Sequence, residues 1–452
     1  MDGSLKQSTS GQIEPKDLQS LYQQLLPFEF FWGALRQAQK REHNRVYHSR
    51  VVIWLMIFQR LQEGTLERAV AELLADLPVS FWPDPCKRVE EALRPEGKRL
   101  SKQTGAYHQA RQQLSEAVVQ QCFEHSLGQL LEAAPQQRQA FFVDGTTVRM
   151  PHDEELVKAY PPTRNQHGES HWPILRLLVA HDLYTGLALR PEFGAVNGEQ
   201  AISEQALLER LLQRVPAGAL LVGDANFGVF SVAYAAEQYA HPVLLRMTVA
   251  RAMRLNGGKL EDGIDREVRW KPTREDRRSH PELPAEAWVN GRLIVRRVTP
   301  SNGEKPFLLP LFTTLPESVE EILPLYGKRW LIEVDLRHLK NTLRLEELTC
   351  TNEGMVAKEI DVAMLGYNLV RAVMCATAWK QQLEPRAFSF TQVQTLLQAF
   401  LPRIAAAESP ERAQKLREDL EYYLGQCRLR RRQRASRPRA VWPKPKTYPS
   451  RH

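Results

Sequence analysis

The sequence is poor in cysteine and has no long apolar run. Its five cysteines are scattered and never stand at C-x-x-C spacing, so neither a disulfide framework nor a cysteine zinc site is predicted. The longest apolar run of interest, residues 51–58, is far shorter than the roughly 18 residues of a membrane span. Residues 1–16 lack the apolar stretch of a signal peptide. These absences predict a cytoplasmic protein.

A G-x-x-x-x-G-K-[ST] loop is also missing, so the common phosphate cradle of nucleotide hydrolases is not expected and no nucleotide is predicted as a partner. The 452 residues are 43% hydrophobic and 25% charged, as in ordinary globular proteins. A chain of this length exceeds the size of a single core, which predicts two or three domains.

Acidic residues are absent from one segment, 428–452. It holds ten of the 61 Lys and Arg residues, so the remaining 51 nearly balance the 53 acidic residues, and the net charge of +8 resides in this tail. A basic, polar, proline-rich segment cannot build a core and suits phosphate backbones. We expect a disordered tail that binds nucleic acid; a solvated terminus without a partner is the alternative.

The spacing of apolar residues indicates how the rest of the chain is organised. Residues 17–134 show helical periodicity, whereas short apolar runs typical of strands begin at residue 139 and alternate with helical stretches. This order predicts an α/β fold with a mixed sheet flanked by helices. Between 248 and 315 the helical signal disappears and strand-like runs predict a β-rich insertion. Strands are predicted at 141–143, 174–181, 187–193, 219–222, 243–247, 293–298 and 307–312, and helices at 199–215, 230–239 and 317–345.

Five parts of the chain follow from this pattern. They are a helical N-terminal DNA-binding region (1–135), the α/β core (136–247 and 316–350), the β-rich insertion (248–315), a helical C-terminal region (351–427) and the basic tail (428–452). In the first part, Lys98, Arg99, Lys102 and Arg111 are candidate DNA contacts, although packing or dimerisation explains this region nearly as well.

Two carboxylates follow predicted strands. Asp144 and Asp224 each come directly after a short apolar run, and residues at sheet ends are often brought together on a rigid frame. An aspartate in this position is more often a turn or capping residue, so the two residues alone are a weak signal.

A third carboxylate lies in a more informative setting. On a continuous helix at about 100° per residue, Tyr326, Arg329, Glu333 and Lys340 share one stripe, and Trp330 faces another direction, where we expect it to pack. A carboxylate between phosphate-binding cations favours a metal-dependent site on DNA. An ordinary amphipathic helix with i,i+4 ion pairs is the alternative.

These residues resemble a known family. Tyr326, Arg329, Glu333 and Lys340 reproduce the Y-(2)-R-(3)-E-(6)-K signature of the insertion-sequence-4 family of DDE transposases. The blocks VDGTTVRMP and VGDANFG, which contain Asp144 and Asp224, resemble its two aspartate motifs, and the resemblance covers about residues 101–376. The sequence departs from many relatives after the second aspartate, where Ala225 and Asn226 stand in place of an arginine.

The resemblance implies a ribonuclease-H-like catalytic core and two Mg²⁺ ions, which Mn²⁺ can replace. Asp144, Asp224 and Glu333 would be the catalytic residues and metal ligands, with Asp144 bridging both ions, while Tyr326, Arg329 and Lys340 would bind DNA phosphates. Trp270 and Trp288 are candidates to stack on a flipped base, although packing is the more common role of such residues.

The same resemblance implies the reaction and the partners. A cut-and-paste transposase cleaves at the terminal inverted repeats of its element and joins the freed 3′ ends to target DNA, as a homodimer in a synaptic complex. Double-stranded DNA would thus be the partner and the nucleoid the location, with no membrane involved. A nuclease of the same fold without strand transfer, and an inactive domesticated DNA-binding protein, are the alternatives.

Overall fold

The computed structural model describes residues 18–62, 64–75, 79–82, 84–134, 139–165, 168–299 and 305–429. The predicted basic tail lies outside the described residues except for its first two positions. The α-helices are α1 Leu18–Leu25, α2 Phe28–Gln37, α3 Ser49–Gln62, α4 Leu66–Ala75, α5 Lys87–Leu93, α6 Gly105–Gln113, α7 Glu116–Glu132, α8 Glu154–Ala159, α9 Glu204–Leu212, α10 Phe230–Gln238, α11 Val249–Asn256, α12 Arg274–Ser279, α13 Val319–Gly327, α14 Trp330–Arg337, α15 Glu353–Lys380, α16 Phe390–Ala405 and α17 Pro410–Leu424.

The strands begin after the N-terminal helices, at the point where the apolar pattern changes. Short 3₁₀ turns occupy Val79–Phe81 and Pro385–Ala387, and a π-helical turn occupies His338–Thr342. The strands are β1 Ala140–Arg149, β2 Arg164–Asn165, β3 Gly168–Glu169, β4 Ile174–Asp182, β5 Glu192–Ala195, β6 Leu220–Gly223, β7 Val243–Arg246, β8 Asp265–Trp270, β9 Val289–Val298 and β10 Phe307–Thr313.

One eight-stranded sheet forms the centre of the molecule, in the order β5-β4-β1-β6-β7-β10-β9-β8. Strand β4 runs antiparallel to β1 and β5, whereas β6 runs parallel to β1 and to β7. Counted along the chain, the first five long strands are ordered 3-2-1-4-5 with the second reversed, which is the ribonuclease-H-like arrangement. The prediction of a mixed sheet flanked by helices with this core is confirmed.

The β-rich insertion continues the central sheet, because β10 pairs antiparallel with β7 and carries β9 and β8 beyond it. The predicted absence of helices between 248 and 315 is wrong. Helix α11 is capped by Thr248 and ends at Gly257 in the left-handed conformation, and α12 begins with a Thr273–Asp276 capping box. Both helices are short, and the threonine caps at their N-termini stabilise them.

The long helix α15 packs against α3, α7 and α16 and is buried along nearly its whole length. By length and composition this helix could cross a membrane, but its apolar window is fully buried inside the protein, so it is a core helix. Its Glu359 accepts from Arg60 at 2.7 Å and from Arg111 at 2.9 Å, joining the N-terminal helices to the core. Arg111, a candidate DNA contact, is therefore committed to a largely buried ion pair.

Candidate active site

The sheet register places the two predicted aspartates side by side. Strands β1 and β6 pair in parallel, with Phe142 opposite Val222, and two further residues along each strand lead to Asp144 and Asp224. Equivalent positions on neighbouring parallel strands, which lie about 4.8 Å apart, present their side chains to the same face. Two residues that are 80 positions apart in the sequence thus come close together just beyond the β1–β6 pairing, where the Asp224 carboxylate acts electrostatically on Asp144.

The position of Asp144 differs from the sequence prediction in one respect. Strand β1 does not end there but continues to Arg149, because its antiparallel pairing with β4 extends over the whole length of the strand. Only the parallel pairing with β6 stops before Asp144. The aspartate therefore lies where one neighbouring strand ends and the other continues.

Both carboxylates are held by backbone N–H groups of the residues that follow them. Gly145 N–H donates to Asp144 Oδ1 and Asn226 N–H donates to Asp224 Oδ1, each at 2.8 Å. Burial raises the pKa of Asp144 to about 6, and the neighbouring Asp224 and Glu204 carboxylates also raise it, while the Gly145 N–H and Arg329 lower it. A carboxylate crowded by two others favours a nearby cation.

Glu333 lies in the first turn of α14, after a short interruption of the helix at residues 328–329. Instead of one continuous helix, α13 ends at Gly327 and α14 begins at Trp330, with Arg329 at the junction. Arg329 Nη2 donates to Glu333 Oε1 at 3.0 Å, and the Glu333 side chain is 54% exposed. Burial by itself lowers the pKa of Arg329. The neighbouring Tyr326, Glu333 and Asp144 outweigh this effect and raise the pKa of Arg329 above its ordinary value. Arg329 is therefore hydrogen-bonded to Glu333 and interacts electrostatically with Asp144.

The three carboxylates are not gathered into one ligand set. Over the part of the chain that the structure describes, no three His, Cys, Asp or Glu side chains stand close enough to hold a metal ion. Asp144 and Asp224 are adjacent, whereas Glu333 turns its carboxylate to Arg329.

Tyr326 and Lys340 lie at opposite ends of this segment. Tyr326, in the last turn of α13, is buried, and burial raises its pKa to about 12. Lys340 lies in the π-helical turn after α14. The predicted stripe assumed about 100° per residue throughout, and both the junction at Arg329 and the wider π turn change that angle. The four residues therefore do not form one regular helical stripe.

A buried ionic cluster fixes the rotation of α14 about its axis. Asp335 lies two residues after Glu333 and therefore on the opposite face of the helix. It is fully buried, pairs with Arg371 of α15, and pairs with Arg386 at 2.9 Å. These contacts hold one face of α14 in the core and leave the Glu333 face open to solvent.

The tryptophans differ in their availability to a nucleic acid. Trp270 is buried against Phe230 and Phe312, so it is a packing residue and not a stacking platform. Trp288 is 39% exposed with the Arg269 guanidinium 5.0 Å from its ring centroid, and it remains a candidate. Trp330, expected to pack into the core, is 56% exposed beside Arg329, because the core-facing positions of α14 are Ile332 and Asp335.

Some residues around the aspartates were missed by sequence reasoning. Glu204 and Gln205 begin α9 and contact Asn226, while Arg251 donates to the carbonyl oxygens of Ala225 at 3.1 Å and Gly228 at 3.2 Å. The sequence pattern did not single them out, because the helix was predicted to begin at residue 199, whereas α9 begins at Glu204 after its cap Ser203. Their contacts are all with residues distant in sequence.

Comparisons with known proteins find similar chains. Residues 135–369 match the protein family described as "Transposase DDE domain". The chain is 26% identical over 361 residues to the transposase InsG for insertion sequence element IS4 of Escherichia coli (strain K12), covering 76% of this chain and 77% of that one. The cryo-EM structure of a piggyBac transposase synaptic complex with hairpin DNA matches with a TM-score of 0.44 and 9% identity, covering 90% of this chain and 85% of that chain.

Proposed function

The chain belongs to the family of transposases with a DDE domain, and from that premise we propose that it cleaves DNA at the ends of its element and joins the freed 3′ ends to target DNA by a cut-and-paste route. The observation that carries this proposal is the β1–β6 pairing that brings Asp144 and Asp224 close together, with Arg329 paired to Glu333 and interacting electrostatically with Asp144. If Glu333 turned toward the two aspartates, the three carboxylates would suit metal-dependent phosphodiester chemistry.

The donor set fits Mg²⁺ or Mn²⁺. Carboxylate oxygens are the ligands that these hard ions prefer, and the crowding of Asp144 by Asp224 and Glu204 is repulsive unless a cation is shared. Asp144, Asp224 and Glu333 would hold two ions. Bound there, the ions would activate the attacking oxygen and stabilise the leaving oxygen. Glu333 is exposed, so its carboxylate can leave Arg329 by side-chain rotation alone.

The chain's cations would bind the DNA. If Glu333 bound the ions, the Arg329 guanidinium would be free to pair with a phosphate, for which its planar fork is well suited. Tyr326 supports Arg329 from the preceding helix, and Lys340 supplies a further positive charge after α14. The DNA would be the element's terminal inverted repeats and its target, bound by a homodimer.

Isosteric substitution of the carboxylates tests the proposal. Asp224→Asn and Glu333→Gln should each lower the rate of Mg²⁺-dependent nicking of the element's own end DNA at least about 10³-fold, because each removes a charge that the ions need. Binding of the same DNA should change little. Glu320→Gln, the same change at an exposed position of α13, should nick normally.

Two outcomes would contradict the proposal. Nicking at the wild-type rate by either variant would remove that residue from the metal centre. Cleavage without any joined donor–target product, under conditions in which both DNAs are bound, would reduce the activity to that of a nuclease.

A further inference from the structure

The start of α9 contacts the residues that follow the two aspartates. Glu204 is the first residue of this helix, after the N-cap Ser203, whose side chain accepts from Ala206 N–H at 3.1 Å. The Glu204 carboxyl lies against the backbone of Gly145, so that an added Cβ at Gly145 would collide with it. Because Gly145 has no side chain, it leaves room for the Glu204 carboxyl.

Glu204 also holds the residue that holds Asp224. Its Oε2 accepts from the side-chain amide of Asn226, while Gln205 Nε2 donates to Asn226 Oδ1 and to the Asn226 carbonyl oxygen, each at 2.8 Å. An ionised carboxylate can only accept, so Glu204 fixes which way the Asn226 amide points. With the side chain held from both sides, the Asn226 N–H is directed at Asp224 Oδ1.

One side chain thus contacts both residues whose N–H groups bind the aspartates. We propose that Glu204 is a positioning residue that sets the separation of Asp144 and Asp224 by bracing Gly145 on one side and Asn226 on the other. The inference rests on the proposed function, since it assigns a role toward the same two-ion centre.

Positioning accounts better for these contacts than direct metal binding. Glu204 Oε2 already accepts from the Asn226 amide, and the rest of the carboxyl packs against the backbone of Gly145. Residues that orient metal ligands in this way typically change metal affinity or activity about 10–100-fold when altered.

Exchange of donor and acceptor tests the proposal. Asn226→Asp places two carboxylates face to face and should weaken Mn²⁺ binding to the end-DNA complex about 10–100-fold. The double variant Glu204→Gln with Asn226→Asp reverses the polarity of the same hydrogen bond at unchanged net charge, and should restore affinity to within about threefold of wild type. Glu204→Gln alone, whose amide oxygen can still accept, should bind almost normally. Glu204→Ala should lose affinity as Asn226→Asp does.

The measurement is calorimetric titration of Mn²⁺ into the full-length protein with end DNA bound, with melting by circular dichroism as the check on folding. Glu199→Gln, at an exposed position just before the helix, serves as the matched control. Failure of the double variant to regain affinity, or a loss with Glu204→Gln as large as with Glu204→Ala, would overturn the positioning role. Normal Mn²⁺ binding by Asp224→Asn would instead refute the proposed metal centre itself.

Discussion

At the scale of single residues, the loop after Asp224 depends on a glycine with no spare room. Gly228 lies against the backbone of β7, and an added Cβ would collide with the carbonyl oxygen of Arg246. Arg251 closes the loop from the other side by donating to the Gly228 carbonyl oxygen. The path of the chain from Asp224 to α10 is therefore set by contacts with backbone atoms, which cannot be moved by a change of rotamer.

Gly228→Ala should consequently lower the free energy of unfolding by about 1–3 kcal/mol, as overpacking does in other cores. Chemical denaturation followed by circular dichroism measures this directly. Gly258→Ala is the matched control, because nothing lies within 4 Å of its added Cβ, and its stability should be unchanged within about 0.5 kcal/mol. Equal stability of the two variants would show that the loop is not held against β7.

At the scale of elements, helix α14 is fixed by its buried side. Arg371 and Arg386 both pair with Asp335, and no more than a tenth of either arginine side chain is exposed. Because Glu333 and Asp335 lie on opposite faces, the ionic cluster decides the direction in which Glu333 points. The carboxylate of Glu333, which we propose as a metal ligand, is thus oriented by contacts in the core.

Asp335→Asn should destabilise the protein by about 3–5 kcal/mol, since it leaves two buried cations without a counter-charge. The midpoint of urea denaturation is the measurement, and the slope should stay unchanged. Asp84→Asn, the same substitution at an exposed position, should leave the midpoint where it is. A midpoint equally unaffected in Asp335→Asn would mean that the cluster does not hold α14.

Local pattern predicts most elements of the core, because apolar runs bounded by turns are sequence-local signals. The prediction of strands near 219–222 and 243–247 agrees with β6 and β7. The gap predicted between the strands at 174–181 and 187–193 is a turn with Gly186 at a φ of 76°, but the second of these strands, β5, begins only at Glu192. The break at Arg329 was not predictable, since Tyr326 to Lys340 have a continuous helical pattern. Its position depends on tertiary contacts, among them the buried pairing of Asp335.

At the scale of the whole molecule, the insertion and the core share a single sheet. Sequence pattern predicts strands at 293–298 and 307–312 but cannot say which strand they join, because the pairing of β10 with β7 is non-local. The exposed strand β8, which has one buried residue, was missed for lack of an apolar pattern. Likewise, the motif residues could be identified from the family resemblance, whereas Glu204 and Asn226 became recognisable only through their contacts in the folded chain.

The proposed activity requires that Asp144, Asp224 and Glu333 together bind two divalent ions. Anomalous diffraction at the manganese edge, from crystals of the protein with its cleaved end DNA and Mn²⁺, measures this most directly. We expect two peaks about 3.5–4 Å apart, with Asp144 bound to both and an oxygen of Glu333 about 2.1 Å from one. Two results would contradict this proposal. One is that ions bind while Glu333 remains paired with Arg329, and the other is that no ion binds beside Asp144 and Asp224.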